Sequence, residues 1–519
     1  MQVQRIRWQA SLAAVAVSVA MVGGPGQGSA QESGSVLTLA EALALAVMNN
    51  PNYLTQSNDQ APADWAVAES YAQFLPQLRV GGGVQYTGPG VQTFGVFTSG
   101  DFGAGTTDYL FSDYFARLDW SLNGQTLFSP RSAKADQTAT SARIRAARFD
   151  LESLVTLQYT GALLAREAAD VAQRQLDRAL ENFEIVQARV DAGAAVSTDG
   201  KSAEVEWGRA EVTLLEAENL FRSSKNQLME TIGVPMREGM ELEGDFEVYD
   251  LQESRDELMA IAMEAHPSLE SFRAAEGARR ADVRSTKSQY FPTVTASAQW
   301  SGFSRQVGNE NFLLGQVSDG VAGGYNSCQQ LNAISNGLTS PLEGYPRNCG
   351  SPELSASDQA AILESNQVFP FSFTSQPLNV SLRVSLPVFN GLTRQRQVEQ
   401  ASAFLSDAAH ARRAEELRLR TAVTQAYDNL KTEYQVLAIE ERNLEVATEQ
   451  LELAQERYRL GAAAYLELLD GQSNMATAER DYLVAMFEFH QAMAQLESAT
   501  GRRLRPNFPA DDQDRAPQD

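Results

Sequence analysis

The chain has 519 residues, enough for two or three domains of average size. Its 42 basic and 66 acidic side chains give a net charge of −24, which argues against a nucleic-acid-binding protein, because phosphate binding needs a basic face. The two cysteines, Cys328 and Cys349, lie in one polar stretch. They could pair in an oxidising compartment, but they are too few for a four-ligand metal site.

The start of the chain, 1–30, has the pattern of a secretory signal peptide. Arg5 and Arg7 precede an apolar run from Trp8 to Val22, and Gly28-Ser29-Ala30 supplies small residues for cleavage. The mature chain is therefore expected to begin at Gln31. No later stretch is apolar for long enough to predict a transmembrane helix. The exported protein is expected to be periplasmic, secreted or an outer-membrane β-barrel.

The sequence predicts two copies of one unit. The segment ALALAVMNNP, ending at Pro51, recurs as LMAIAMEAHP, ending at Pro267, at an offset of 216. Further along, Gly193 recurs as Gly461 at an offset of 268. Offsets that stay constant over long distances indicate internal structural repeats. The expected domains are the signal peptide 1–30, a first repeat 31–250, a second repeat 251–501 with an external insertion at 304–374, and a polar tail 502–519.

Each copy is predicted to run helix, helix, strand, strand, very long helix, helix. The strands alternate in polarity, as where Leu378, Val380 and Leu382 are separated by Asn379 and Ser381. Strands of about ten residues with one apolar and one polar face are typical of outer-membrane barrels, although a half-buried sheet in a soluble domain shows the same alternation. The four predicted strands are residues 77–87, 112–123, 293–303 and 377–387.

Two stretches, residues 131–191 and 392–459, contain no proline and a single glycine, Gly161, and are predicted to be helices of roughly 90–100 Å. Apolar or small residues recur every seven positions in both, which indicates packing against neighbouring helices with coiled-coil geometry. Gly193 and Gly461 follow the two stretches and allow the left-handed turn that ends a helix. A return helix after each makes a hairpin. The heptad positions are Val155, Ala162, Ala169, Leu176, Phe183 and Val190, then Val423, Leu430, Leu437, Leu444, Leu451 and Tyr458.

Four strands cannot stand alone in a bilayer, because open sheet edges would leave backbone groups unpaired in hydrocarbon. The chain is therefore expected to close its sheet with copies of itself. Two chains would give an eight-stranded barrel filled by its own side chains, whereas three would give twelve strands and an open bore. The predicted fold is mainly α with a membrane β-barrel: a trimeric twelve-stranded barrel, continuous with a long periplasmic α-helical barrel. The long loops 88–108 and 304–374 lie at the opposite end of the sheet from the helices, outside the cell.

The chain resembles the TolC family of outer-membrane efflux proteins over about residues 36–501. The segments that carry the resemblance are LTLAEALALAVMNNP, ARVDAGAAVSTDG, SLPVFNGLTR and RYRLGAAAYLELLDGQ. The resemblance implies a homotrimer in outer-membrane lipid, docked to an inner-membrane transporter through a periplasmic adaptor protein. It also implies a small equatorial domain from residues 234–256 and 502–519. Such a duct serves a tripartite efflux or type I secretion system and conducts substrates passively, with no cofactor.

The candidate functional residues lie at the two hairpins. Glu467 and Asp470 are three positions apart, hence on one face of the return helix, and in a trimer they would form two stacked rings of carboxylates. A solvated acidic helix start has the same pattern. The resemblance favours the rings, because these positions match the acidic pair that narrows the periplasmic mouth in TolC-like proteins. Tyr458, Thr198 and Asp199 match the links that hold the coils together when the duct is closed.

Two features depart from the family pattern. Ala463 stands where a well-studied member has a linking arginine, so the closed state is expected to be held more weakly or by other contacts. The stretch 304–374 is an unusually long external insertion rich in Asn, Gly and Ser, and the family does not say what it does.

The competing functions belong to other classes of protein. A periplasmic adaptor of the membrane-fusion type, or another coiled-coil periplasmic protein, would have one hairpin and no barrel strands. A solute-specific porin would have many more strands and no heptads. His266, His410 and His490 are isolated in the sequence, with His266 beside a proline at a helix end. No catalytic or metal-binding motif is present, so neither an enzyme nor a metal site is predicted.

Overall fold

The computed structural model describes residues 36–91, 93–94, 96–98, 107–236, 240–244 and 248–504. The expected signal peptide and the tail from residue 505 onward lie outside the described residues. The helices described are α1 Leu39–Asn49, α2 Pro51–Ser57, α3 Gln60–Ala72, α4 Gly124–Asp191, α5 Ser197–Ile232, α6 Arg255–Ala265, α7 Pro267–Lys287, α8 Glu310–Gly337, α9 Ala356–Asn366, α10 Thr393–Arg459 and α11 Tyr465–Thr500. The strands described are β1 Val36–Leu37, β2 Gln77–Thr87, β3 Thr93–Phe94, β4 Phe97–Thr98, β5 Tyr109–Leu122, β6 Glu241–Leu242, β7 Thr293–Val307, β8 Thr374–Ser375 and β9 Asn379–Ser385.

The first helix of each half of the chain begins with a capping box. Thr38 Oγ1 accepts a hydrogen bond from the Glu41 amide at 3.2 Å, and the Glu41 carboxylate accepts one from the Thr38 amide at 3.1 Å. Ser254 and Glu257 make the same reciprocal pair at the start of α6. Each box satisfies two backbone donors that a helix start leaves without partners. Both halves thus begin with the same local signal.

The long strands form one antiparallel sheet in the order β2-β5-β7-β9, and the short β8 pairs with the outer part of β7. The four strands lie where the alternation predicts them, with ends that differ by a few residues. Strand β9 is the shortest of the four because Pro377 and Pro387 flank it, and a proline has no amide to donate to a sheet. Within the described residues, β2 and β9 are the edge strands and each pairs on one side only.

The register places the apolar residues of all four strands on one face of the sheet. Leu78 lies opposite Leu118, which lies opposite Ala298, which in turn lies opposite Val380. Directly opposed residues in an antiparallel sheet point to the same face. Leu78 and Val380 are exposed in the single chain, at 69% and 68%. The other face carries polar groups, including the Arg117–Asp119 ion pair at 2.8 Å and the hydrogen-bonded hydroxyls of Ser297 and Ser381.

Two very long helices leave the sheet at the end where β5 and β9 finish. Helix α4 has 68 residues and α10 has 67, so each is roughly 100 Å long. Helix α4 begins earlier than the predicted residue 131, because the side chain of Asn123 caps it by accepting from the Thr126 amide at 2.9 Å. Pro130 lies inside the first turns of α4 and lacks the amide that would bond to Thr126. The hydroxyl of Ser129 donates to the Thr126 carbonyl instead, at 3.0 Å.

The heptad positions lie on the packed sides of the two long helices. None of the twelve predicted positions is exposed in the structure, and seven are fully buried. In the first half Leu43, Val155 and Leu228 meet in one core cluster. In the second half the matching cluster contains Val423 and Phe489 among others. Each core therefore forms where a long hairpin packs against the first helix of its own half.

The insertion at residues 304–374 is not the loop that its composition predicts. Strand β7 continues to Val307, and the 28-residue helix α8 and the shorter α9 follow it. The side chain of Asn309 caps α8 by accepting from the Phe312 amide at 3.2 Å. Apolar residues recur three or four positions apart in α8, at Leu314, Val317, Val321 and Tyr325, but the Asn, Gly and Ser content of the segment hides this helical period. A disulfide bond joins Cys328, in α8, to Cys349, in the segment before α9.

Candidate functional site at the hairpin turns

The two long hairpins, α4–α5 and α10–α11, turn over loops of the same geometry. Gly193 and Gly461 each have a φ of +72°, a left-handed conformation that glycine adopts without strain. The Gly193 amide bonds to the Val190 carbonyl at 2.9 Å, and the Gly461 amide bonds to the Tyr458 carbonyl at 3.0 Å. Each glycine therefore satisfies a carbonyl at the end of its long helix and reverses the chain.

An apolar cluster next to the turns, the tip cluster, joins the two hairpins. It takes side chains from all four helices, so the hairpins meet at their ends rather than only near the sheet. Phe183 packs beside the cluster and stacks on Trp207 with ring centroids 5.6 Å apart. The tip cluster consists of Val186, Ala203, Leu451, Tyr458, Tyr465 and Leu468.

Tyr458, at the end of α10, faces the first hairpin close to the turns. Its side chain is buried, and its ring centroid lies 6.1 Å from that of Tyr465. Burial raises the pKa of the Tyr458 phenol; the guanidinium of Arg189 opposes that rise, and the carboxylate of Asp199 adds to it. The Tyr458 hydroxyl has no hydrogen-bond partner in the described part of this chain. Two charged groups of the first hairpin therefore face a phenol of the second.

Arg189, in the last turn of α4, makes the contact that crosses between the hairpins closest to the turns. Its guanidinium carbon lies 4.3 Å from the centroid of the Tyr458 ring, which is a cation–π geometry. The same guanidinium donates to the Tyr458 backbone carbonyl. A β-carbon built on Gly461 would also lie 3.9 Å from an Arg189 nitrogen, so Arg189 reaches the second turn itself.

The acidic pair of the second hairpin has two different environments. Glu467 is half-buried and forms an ion pair with Arg457, which lies in the last turn of α10. Asp470, one turn further along α11, is exposed. No cationic side chain lies within ion-pair distance of Asp470 in the described residues. Of the acidic pair, Asp470 is therefore the member whose charge is not offset by an ion pair.

A polar seam continues the contact between the hairpins away from the turns. Asn182, in α4, donates to the Gln472 side chain of α11 at 3.1 Å. Further along, Arg178 forms an ion pair with Glu479, whose side chain is 10% exposed. Removing either partner would leave the other charge little hydrated and unpaired, so breaking this pair costs more than breaking a surface ion pair, which contributes about 0–1 kcal/mol. The seam and the tip cluster together hold α4 against α11.

The structure brings most of the predicted site residues to one end of the molecule. Glu467, Asp470, Asp199 and Tyr458 surround the two turns, and Thr198 lies beside them with an exposed side chain. Ala463 lies in the second turn and makes no side-chain bond.

Arg189 belongs to this site but is absent from the residues that the sequence singles out. A signal for it is nevertheless present, because Arg189 recurs as Arg457 at the same offset that relates the two turn glycines. Equivalent residues at the ends of the two long helices could therefore have been found from the repeat.

The remaining ionisable residues of the described structure do not form a metal-binding cluster. No group of three or more His, Cys, Asp or Glu side chains that could hold a metal ion occurs among the described residues. No helix in the described ranges is long and apolar enough to span a membrane. His266 serves as a helix cap, accepting from the Ser268 amide at 3.1 Å.

A sheet with an apolar outer face, continued by two long helical hairpins, defines the class of protein. The chain belongs to the family of outer membrane efflux proteins, which matches residues 42–234 and 351–502. Helix α8 and Cys349 lie in the unmatched stretch between those two segments.

Individual relatives agree with that family. The chain is 25% identical over 176 residues to the cobalt-zinc-cadmium resistance protein CzcC of Cupriavidus metallidurans. That stretch is 34% of this chain and 42% of CzcC, so it spans less than half of the relative.

Solved structures show the same fold over almost the whole length. The Campylobacter jejuni CmeC outer membrane channel is similar with a TM-score of 0.65 at 13% identity, covering 89% of this chain and 85% of that one. The open state of the Neisseria gonorrhoeae MtrE outer membrane channel is similar with a TM-score of 0.63 at 16% identity, covering 90% and 89%. A structure of CusC is similar with a TM-score of 0.63 at 14% identity, covering 89% and 92%.

Proposed function

We propose that this protein is the outer-membrane exit duct of a tripartite efflux or type I secretion system. It passively conducts substrates from an inner-membrane pump across the periplasm and the outer membrane. The observation that carries the proposal is the sheet, which exposes an apolar face and two unpaired edges in the single chain and continues into hairpins whose longer helices are roughly 100 Å long. In water, exposed sheet edges and an apolar face promote aggregation, whereas the wall of a membrane barrel needs an apolar face toward lipid and edges that pair with neighbouring strands.

The duct is a homotrimer. Strands β2 and β9 of one chain leave backbone groups unpaired, and pairing β2 with β9 of the next chain satisfies them without exposing an edge to lipid. Three copies of the four-stranded sheet give a twelve-stranded barrel, which is wide enough for an open bore. The apolar face then contacts outer-membrane lipid, and the polar face with Arg117 and Asp119 lines the bore.

The helices form a second barrel in the periplasm. Helix α10 carries an apolar stripe on the side away from its own hairpin partner, formed by Ile439, Val446 and Leu453 and continued by its C-cap Leu460. These residues are spaced seven positions apart and are 49–74% exposed. A stripe with that spacing is the seam of a coiled coil that lacks its neighbour. The neighbour is a helix of the adjacent chain, so the trimeric arrangement that closes the sheet also covers the stripe.

The chain is built of two repeats, residues 31–250 and 251–501, preceded by a signal peptide at 1–30 and followed by a tail at 502–519. The recurring order of elements supports this division, because both halves run from a capping box through two strands of the sheet to a long helix and a return helix. The equatorial domain contains residues 234–256 and the tail. The insertion 304–374 extends from the outer end of the sheet.

The hairpin turns form the periplasmic gate of the duct. Glu467 and Asp470 of three chains make the constriction, and Asp199, Thr198 and Tyr458 contribute the links that keep it closed. Their placement around the two glycine turns supports these roles. A periplasmic adaptor protein docks on the hairpins and an inner-membrane transporter supplies the substrate, so the identity of the cargo is set by the pump.

The proposal is tested by inserting the purified protein into planar lipid bilayers. We expect discrete conductance steps with a low resting level, and a higher resting level for Asp199→Asn, which removes one link while keeping the side-chain shape. Asp470→Asn is the matched variant, because it lies on the constriction rather than between the hairpins and is expected to change ion preference instead. A protein that stays in the soluble periplasmic fraction and inserts into no bilayer is a periplasmic adaptor or another coiled-coil protein, and the proposal would be wrong.

A further inference from the structure

The two hairpins place equivalent arginines in different contacts. Arg189 and Arg457 each lie in the last turn of a long helix, and the interval between them also separates Asp199 from Glu467. Arg457 pairs with Glu467 inside the second hairpin. Arg189 forms no ion pair with Asp199 in the described structure and reaches instead across to Tyr458. One arginine therefore stabilises its own hairpin, and the other joins two hairpins.

From this asymmetry we propose that Arg189 is the positioning residue that holds the two hairpins of one chain together at the closed periplasmic mouth. The inference rests on the proposed function, because it assigns the closing contact of the proposed gate. The Arg189 contact also replaces the one that a linking arginine would make at the position of Ala463.

The chemistry of the contact suits this role. The Tyr458 carbonyl lies at the C-terminal end of α10, where partial negative charge collects, and Arg189 lies at the equivalent end of α4. One guanidinium thus offsets the dipoles of two helix ends. Its planar shape allows it to lie on the Tyr458 ring and donate to the carbonyl together, which a lysine ammonium does less well.

The position of the contact makes it the first to break when the hairpins separate. The next bonds between α4 and α11, from Asn182 to Gln472 and from Arg178 to Glu479, lie further from the turns. A pair of hairpins that opens at its turns pivots about that seam. The Arg189 contact is lost in such a motion, while the seam stays intact.

Hydrogen–deuterium exchange of the intact trimer tests the inference without requiring conduction. Arg189→Gln is expected to speed amide exchange in both hairpin turns, on the order of tenfold in the second one, because a charged hydrogen bond and a cation–π contact are lost together. Arg457→Gln is the matched control, and it is expected to speed exchange in the second hairpin alone. Arg189→Lys, which keeps the charge but not the planar fork, should restore part of the protection.

The outcomes separate this inference from the proposed function. If Arg189→Gln speeds exchange only in the first hairpin, Arg189 stabilises only the end of its own helix α4, and the inference is overturned. If exchange rises in both hairpins, bilayer recordings of the same variant should show a higher resting conductance. Coupled exchange in a protein that never conducts would support the contact between the hairpins while contradicting the duct.

Discussion

Asn50 and His266 make the same pair of contacts in the two halves of the chain. The Asn50 side chain accepts from the Tyr53 amide at 2.9 Å and donates to the Thr231 carbonyl at 2.7 Å, so it caps α2 and binds the end of α5. His266 caps α7 through Nδ1 and contacts the Ser498 carbonyl through Nε2 at 3.0 Å, near the end of α11. Since Nδ1 accepts and Nε2 must donate, His266 is neutral in the folded state. An amide and a neutral imidazole therefore do the same structural work.

The first prediction is that His266 makes the protein less stable in mild acid. Burial lowers the His266 pKa below its usual 6.5, so the unfolded chain binds a proton first as the pH falls. The contribution of His266 to the free energy of unfolding is then fully present above about pH 6.5. It declines below that pH, by at most about 1.4 kcal/mol per pH unit, until the folded-state pKa is reached. The charged groups of Asp150, Glu415 and Arg418 face the same site. Burial raises the pKa of Asp150, so the protonation of Asp150 favours the folded state as the pH falls, which opposes the effect of His266.

The measurement compares thermal unfolding of the wild type and His266→Asn near pH 7.5 and near pH 5.5. The asparagine variant should match the wild type at the higher pH, because Asn50 shows that an amide fits this role. It should lose less stability on acidification. Equal acid sensitivity of the two proteins would show that other groups govern the pH dependence, and His266→Ala controls for loss of the cap itself.

The second prediction separates the two carboxylates of the proposed constriction. Asp470 has no cationic partner in the described chain, whereas Glu467 is paired with Arg457. Asp470→Asn removes one net negative charge per chain and should lower the preference of the channel for cations. The double variant Glu467→Gln with Arg457→Gln removes a pair with no net charge, so its ion preference should stay near that of the wild type. Reversal potentials in a salt gradient measure both, and an unchanged preference in Asp470→Asn would place the constriction elsewhere.

The third prediction concerns the two faces of the sheet. Leu382 lies on the apolar face opposite Ala296, and its neighbour Ser381 lies on the polar face bonded to Ser297. Leu382→Arg should reduce the yield of assembled protein in the outer membrane, because an arginine facing lipid costs about 2–4 kcal/mol at mid-bilayer. Ser381→Arg, at the adjacent position and facing the bore, should assemble normally. Equal yields of the two variants would contradict the assignment of the lipid-facing surface.

The fourth prediction concerns the insertion. The bond between Cys328 and Cys349 closes a segment with a sequence separation of 21, and a loop of this length is stabilised by about 3 kcal/mol in the chain-entropy account. The double variant Cys328→Ser with Cys349→Ser should be cut faster by protease within α8, while the long helices remain protected. A thiol assay on denatured, unreduced wild type should find no free thiol. Two reactive thiols, or unchanged cleavage, would show that the bond does not support this segment.

The strands and long helices could be predicted because their signals are local and repeat along the chain. Alternation in β7 and β9 and heptads in α4 and α10 each specify a face, and the faces agree with the observed register and burial. Helix α8 is missed because a segment rich in Asn, Gly and Ser indicates a loop by composition, although Leu314, Val317 and Val321 recur at helical spacing. The cap at Asn309 and the disulfide bond also stabilise this segment, and composition does not reveal either of them. The predicted start of α4 is too late because a proline such as Pro130 usually marks the boundary of a helix, whereas here it lies in the first turns.

The residues of the proposed gate could be predicted only as a set of positions. The spacing of Glu467 and Asp470 placed them on one face of α11, but the partner of Glu467 depends on how the hairpin turns. The contact between Arg189 and Tyr458 depends on the angle at which two hairpins meet, which no local pattern encodes. The sequence patterns therefore single out residues that lie together near the two turns, and tertiary packing decides which of these side chains are paired.

The central claim is that three copies of this chain close one duct, and electron cryomicroscopy of the mature protein in lipid nanodiscs tests it most directly. We expect three chains around one axis, with β2 of each chain paired to β9 of the next and the α10 stripe at Val446 and Leu453 covered by a neighbouring helix. A particle with one or two chains, or a trimer that leaves β2 and β9 unpaired, would contradict it.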